Sequence, residues 1–439
     1  MGTIVRASFV LVLASFSSTS ARAQQDLWER LNAQAMDLHR QKRDDEAAAT
    51  ARETLAVAEK TFDPSSPKLA ISLTNLADIY RSQVRYADAE PLYRRASEIV
   101  GKAFGSQHPK MARALDNLGN LYEAWGRPAD AEPLYRRALD INEKALGADS
   151  FDIAFSLDNL AGLYRAEGRY QDALPLYQRA AAIFERLLGP EHLEVARALS
   201  DLAQVNRAVG RYEEAKKLYR RALTIRERDL GSENETVAIT LDNLAAVYQA
   251  QGRYWEAEPL CQRALAILEK TRGPEHPDVA IALDNLAELH QIQGNYKKAE
   301  QFYQRSLAIL EKTRGAEHPD VAIALNNLGQ LYQIEKKGVQ AEPLYRRALA
   351  ILEKVRGPSH PDVAQCLNNL AFLYKSQGRL RDAEPLYERA LSILESTLGP
   401  NHPAVATALE NMASLYSAMG NSMRAQALLR RAQQIRSRY

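Results

Sequence analysis

Along the chain, apolar residues fall at helical spacing in two alternating stripes. Leu73, Leu76, Ala77 and Tyr80 stand at i, i+3, i+4 and i+7, and after a short polar break Ala89, Leu92, Tyr93, Ala96 and Ile99 repeat the spacing. Both stripes return every 42 residues. Asn75 steps to Asn117, Asn159, Asp201, Asn243, Asn285, Asn327, Asn369 and Asn411 without an insertion, so nine registered units follow one another. Ala89, Arg95 and Ile99 keep their identity at every step, to Ala425, Arg431 and Ile435. Each unit predicts two helices, and a string of such units grows in one dimension without needing a closed core. The expectation is an all-α array over 64–439.

The breaks carry their own columns. Glycine marks the first at 126, 168, 210, 252, 294, 378 and 420, and the second at 105, 147, 189, 231, 273, 315, 357 and 399, together 15 of the 21 glycines. These are helix stops and tight turns. Just beyond the second break stand His108, His192, His276, His318, His360 and His402, with Ser66, Ser150 and Asn234 in the remaining units. Several are followed by Pro and Asp, as in His276-Pro277-Asp278, a first turn suited to the positive end of a helix. This column predicts the N-cap residue. Segment 24–63 follows the register loosely through Leu31, Leu38, Ala47, Ala51, Leu55 and Ala58, and reads as an atypical capping unit with one polar face.

Residues 1–23 break the pattern. A basic Arg6, an apolar stretch from Ala7 to Phe16 and Ala21-Arg22-Ala23 have the layout of a secretory signal cleaved after Ala23, with an apolar run too short to span a bilayer. The expected location is exported, periplasmic or secreted, without membrane insertion once the signal is removed. Composition is that of a folded chain, 46% hydrophobic and 26% charged, with a formal charge of +2 that falls to zero without Arg6 and Arg22. Balanced charge gives no general attraction to nucleic acid or an anionic membrane. The basic end, Arg430, Arg431, Arg436 and Arg438, reads as a match to a helix dipole. Cys261 and Cys366 lie two and a half units apart, too far in a stack of helices for a disulfide.

Leu73-x2-Leu76-Ala77-x2-Tyr80 followed by Ala89-x3-Tyr93 resembles the tetratricopeptide repeat, with Leu in place of Trp and Tyr in place of Phe. The 42-residue period and the phrases LNNLAFLY (367–374), AEPLYRRALAILEK (341–354) and GPEHPDVA (273–280) resemble the kinesin light chain subclass, also widespread in bacteria. The resemblance covers 64–439 and implies a right-handed superhelical solenoid of antiparallel helix pairs. The light chain's heptad coiled coil is missing, so a motor role is not carried over.

Candidate chemistry is sparse. The histidines of one column are a whole repeat apart and cannot converge on one ion, and seven tyrosines in each of two columns are explained by packing. No phosphate-binding, nucleophile-elbow, zinc or EF-hand motif is present, and the repeats leave no room for a catalytic domain. No cofactor or metal is expected. The Asn column remains. Asn75, Asn117, Asn159, Asn243, Asn285, Asn327, Asn369 and Asn411 sit inside helices, where Asn is a mediocre residue. In proteins of the resembling family the corresponding Asn residues line the concave groove and touch bound peptide. An inter-repeat hydrogen-bond ladder accounts for the column equally well. The preceding column, Thr74, Asp116, Asp158, Ser200, Asp242, Asp284, Asn326, Asn368 and Glu410, is acidic in the middle, which favours basic or polar peptides unless the Arg95 column neutralises it. The expected function is a non-catalytic scaffold or adaptor for a protein or peptide segment. The alternative is a self-associating element of an envelope assembly.

Overall fold

The computed structural model describes residues 22–437, so the signal segment expected over 1–23 lies almost wholly outside the described residues. These residues form twenty helices and no strand. In chain order they are α1 (22–40), α2 (Asp44–Thr61), α3 (Pro67–Ser82), α4 (Tyr86–Phe104), α5 (Pro109–Ala124), α6 (Pro128–Leu146), α7 (Phe151–Ala166), α8 (Tyr170–Leu188), α9 (Leu193–Ala208) and α10 (Tyr212–Leu230). There follow α11 (Glu235–Ala250), α12 (Tyr254–Arg272), α13 (Pro277–Ile292), α14 (Tyr296–Arg314), α15 (Pro319–Ile334), α16 (Gly338–Arg356), α17 (Pro361–Ser376), α18 (Leu380–Leu398), α19 (Pro403–Ala418) and α20 (Ser422–Arg436). Odd and even helices alternate as first and second members of pairs packed as in a tetratricopeptide solenoid. The chain divides into two compact units, one ending at Leu163 and one beginning at Tyr164.

Burial follows the columns. Ala89, Tyr93, Ala96 and Ile99 and their 42-residue equivalents are buried on the second helices, except for Leu429 on the last one, and Tyr135, Tyr219, Tyr345 and Tyr387 are among the largest fully buried side chains. Each buried Leu or Ile stabilises the stack by roughly 1.5–3 kcal/mol. Within each unit a second helix packs against a neighbouring first helix on either side, as α4 does on α3 and α5 and α12 does on α11 and α13. Cys261 occupies a Tyr position and is 1% exposed, and Cys366 is buried as well. Both thiols are free, and burial pushes each up to about 12, which leaves them inert packing residues.

The caps form where the sequence places them. Side chains of Ser66, His108, His192, Asn234, His276, His318, His360 and His402 each accept a hydrogen bond from the backbone N–H two residues on. For the histidines the acceptor is Nδ1, at 3.1–3.2 Å. The second helices from α4 to α18 end on a glycine such as Gly273, φ 89 and ψ 154, a backbone region closed to side chains. Six of the second helices hold a proline at their sixth residue (Pro91, Pro133, Pro175, Pro259, Pro343 and Pro385) and continue through it. Packing on both sides outweighs the hydrogen bond lost there.

The Arg95 column does not neutralise the acidic column. Its members reach back to the preceding second helix: Arg95 to Glu59 at 2.5 Å in the first unit, and Arg305 to Glu269 at 2.6 Å and Arg347 to Glu311 at 2.7 Å in the second. Several also donate to a carbonyl of the connecting loop, as Arg221 does to Pro190 O at 2.8 Å. At the basic C-terminal end Arg431 pairs with Glu395 and Arg436 with Glu410.

Segment 24–63 makes the same helix pair as the later repeats, and its Lys42 (φ 59) takes the left-handed turn that Gly126 and its successors take. Val84 (φ 62) and Lys336 (φ 61) do likewise where glycine is missing from that column. A β-branched residue in that conformation is strained by about 1–2 kcal/mol, and Val84 is 67% exposed, so little packing offsets it. Val84→Gly is therefore expected to stabilise the fold by about 1 kcal/mol, read as a higher denaturant midpoint at unchanged slope; an unchanged or lower midpoint would remove the strain argument.

Candidate functional site

In the second unit, first helices of successive pairs touch one another, α9 with α11, α11 with α13, α13 with α15, α15 with α17 and α17 with α19. Their outward stripes form one face. On α13 the stripe reads Ile281, Asn285, Glu288, Ile292 and on α15 Ile323, Asn327, Gln330, Ile334, at i, i+4, i+7 and i+11. Ile239, Ile281 and Ile323 are 57%, 59% and 45% exposed in three consecutive repeats, and Ile292, Ile334 and Phe372 stand out beside them. This aliphatic column is the part of the face that the reading from sequence missed. The signal was available, because an isoleucine recurring off the buried stripe at 42-residue steps has no packing role within its own repeat.

The candidate asparagines are half-buried on the first helices of their own units, and six of the eight are tied to the preceding repeat. Asn75 Nδ2 donates to Asn32 Oδ1 at 2.7 Å, Asn369 to Asn326 at 3.1 Å and Asn411 to Asn368 at 3.2 Å, always across 43 residues. The ladder is therefore present, and Asn32 brings the atypical first pair into it. Asn159, Asn285 and Asn327 face an aspartate instead, respectively Asp116, Asp242 and Asp284. Burial pushes each of these carboxyl groups up to about 7, while the facing carboxamide pulls the other way. In each, Oδ1 is buried without a hydrogen-bond partner. Asn117 and Asn243 stand at the same register, 43 residues after Thr74 and Ser200.

Two cavities open on this column, one in each unit. That of the second unit, about 260 Å³, is bordered by Ile323, Asn326, Asn327, Gln330, Gln365 and Asn369 with Leu352 and Cys366. That of the first, about 320 Å³, is bordered by Pro109, Arg113, Asp116, Asn142, Asp152, Phe155 and Asn159. Carboxamides offer both donors and acceptors there, the chemistry of backbone recognition rather than of bond cleavage. Among the described residues no group of three or more His, Cys, Asp or Glu side chains is placed to hold a metal ion, and no helix is long and apolar enough to cross a membrane.

The sequence profile of the tetratricopeptide repeat matches residues 29–100, 83–144, 152–228, 236–312, 280–354, 320–396 and 371–438. Among solved structures, the chain is similar to BtubC (BKLC) from P. vanneervenii, at 27% identity over 54% of this chain and 91% of that one, with a TM-score of 0.42. It is also similar to a Podosopora anserina candidate kinesin light chain with nearly identical TPR-like repeats, at 28% identity over 48% of this chain and 98% of that one, with a TM-score of 0.43. A Rap protein complexed with competence and sporulation factor shares the fold, at 16% identity over 94% of this chain and 98% of that one, with a TM-score of 0.50. No functionally curated protein matches the chain at a significant level.

The raised carboxyl groups set a pH dependence. An aspartate near 3.9 in the unfolded chain and near 7 in the fold contributes stability that is fully present below 3.9 and is lost as pH rises through 7. Asp116→Asn/Asp242→Asn/Asp284→Asn copies the residues at 326 and 368 and is expected to gain stability over wild type progressively from pH 4 to pH 8. Denaturant midpoints across that range check it, and a constant difference would contradict the assignment. Asn369→Ala, which leaves Asn326 Oδ1 without its donor, is expected to cost about 1 kcal/mol at every pH in that range.

Proposed function

The chain belongs to the tetratricopeptide-repeat family, whose fold is generally a non-catalytic scaffold for protein interaction, and from that premise we propose that this protein is an adaptor holding an extended peptide or protein segment along its first-helix face. The observation that carries the reading is the exposed column Ile239, Ile281 and Ile323 running beside the carboxamide rungs. A row of aliphatic side chains at repeat spacing supplies apolar contacts, and Asn and Gln groups between them supply donors and acceptors to a partner's backbone. The exposed Glu288, with the acidic side chains of Asp242 and Asp284 beneath the face, favours a segment that brings basic groups. Each contact is weak, so affinity would be shared over several repeats.

We further propose that the protein is exported and that its leader is removed after Ala23. The first buried side chain of α1 is Trp28, which stacks edge-on against Phe62 at 5.2 Å and donates from Nε1 to Ser72 at 2.7 Å. Cleavage at that point leaves these contacts untouched. N-terminal sequencing of the mature protein is expected to begin at Gln24, and recovery of residues 1–23 in it would overturn the proposal.

The binding reading is tested by a peptide-array pull-down comparing wild type with Ile239→Ser/Ile281→Ser/Ile323→Ser and with Asn243→Ala/Asn285→Ala/Asn327→Ala. Basic peptides with aliphatic residues are expected to bind wild type and to lose at least ten-fold in affinity with the isoleucine variant. Equal capture by both folded variants would remove this face from consideration. Self-association in light scattering with no peptide ligand would instead favour the envelope-assembly alternative.

A further inference from the structure

Where α5, α6 and α7 meet, the first unit departs from its own repeat. The position of Asn142 holds Leu on α12, α14, α16 and α18 (Leu268, Leu310, Leu352 and Leu394), and the position of Ser156 holds Ala282 and Ala324. Asn142 is 3% exposed and Ser156 fully buried. A polar pair has thus replaced an apolar one in the core, which costs free energy unless its groups are all matched.

They are not all matched. Asn142 Nδ2 donates to Ser156 Oγ at 3.1 Å and to the Asp152 carbonyl at 3.4 Å, and Ser156 Oγ donates to Asp116 Oδ2 at 3.0 Å. Turning the Asn142 amide over would set its oxygen against the Asp152 carbonyl, so the orientation is fixed by its neighbours. Asn142 Oδ1 and Asp116 Oδ1 remain, both buried and both without a donor. Both residues line the cavity of about 320 Å³, at the small end of ligand pockets. Exposed Phe155, Arg113 and Asp152 stand at its mouth.

We propose that this cavity is a binding site for a primary ammonium group, carried either by a free alkylamine or by a lysine side chain, with Asn142 Oδ1 and Asp116 Oδ1 as its acceptors. An ammonium has three N–H donors and no acceptor, which is what two orphaned oxygens, one of an amide and one of a carboxylate, require. Its alkyl stem would lie against Phe155 and Pro109. Arg113 from α5 and Asp152 from α7 are the charged groups bordering the cavity besides Asp116, and they offset each other. The inference goes beyond the first-helix-face reading, since a free amine alone would satisfy it.

The test uses the full chain in thermal shift and isothermal titration with three probes: n-butylammonium, acetyl-Gly-Lys-Gly-amide and its norleucine counterpart. The amine, the lysine peptide or both are expected to raise the melting temperature and the norleucine peptide not to. Butylammonium alone binding identifies a free amine as the source; the lysine peptide binding at least as well identifies a side chain. Because the ionised Asp116 is the acceptor, binding is expected to be about 30-fold tighter at pH 8 than at pH 5.5. Asn142→Leu/Ser156→Ala/Asp116→Asn takes every replacement from sister repeats, and it is expected to fold and to lose the response. Equal effects of the lysine and norleucine peptides, no response to any amine, a response retained in the folded variant, or a response to Ca²⁺ or Mg²⁺ in place of amines would each overturn the assignment. Should the variant not fold, the lysine-to-norleucine comparison and the pH dependence decide alone.

Discussion

A helix pair of about 35 residues buries too little by itself, so everything in this protein depends on what each repeat hands to the one before it. Those contacts are made at fixed sequence distances. The Arg95 column reaches back 36 residues to a glutamate, the Asn75 column 43 residues to an Asn or Asp, and tyrosines such as Tyr122 and Tyr374 reach back 32 residues to Glu90 and Glu342. One half-exposed ion pair contributes at most about 1 kcal/mol. Repeated along the array and joined to loop carbonyls, such pairs fix the register that lets the buried Tyr, Ile and Ala columns meet. An insertion of a single residue within a helix would turn the rest of that helix by about 100° and pull these sets out of register, which gives a physical reason for nine units without a gap in their helices.

The same economy shapes the candidate binding face. The carboxamides, which attract attention because Asn is a poor helix residue, are engaged in holding the stack, at least through one of their groups. What the stack does not use is the isoleucine column beside them, and the carboxyl oxygens of Asp116, Asp242 and Asp284 that find no donor. A partner that supplies apolar contact and cationic donors would meet both needs. Burial without a cationic partner is also what pushes these carboxyl groups up to about 7, whereas Asn326 and Asn368 make the same rungs without a charge.

Much of this was legible in the sequence because a repeat provides its own comparison. Helix pairs, glycine stops and the capping role of the His108 column follow from spacing and residue type alone. Three features were not legible. The Arg95 column looks like a partner for the acidic column, since the pattern places an arginine on a helix but does not say which neighbour lies within its reach. Pro91 and its equivalents look like helix breakers until the packing on both sides is known. Asn142 and Ser156 each look like an ordinary departure from the repeat, and only their hydrogen bonds to each other and to Asp116 show them to be one cluster.

The central claim is that the second helices and the asparagine ladder hold the array together while the exposed isoleucine column of the first helices is left for a partner. Hydrogen–deuterium exchange of the protein with and without a partner co-purified from its native source tests this most directly. The account predicts that binding slows exchange in peptides from α11, α13 and α15 and leaves those from α12, α14 and α16 unchanged. Protection confined to the second helices would contradict it.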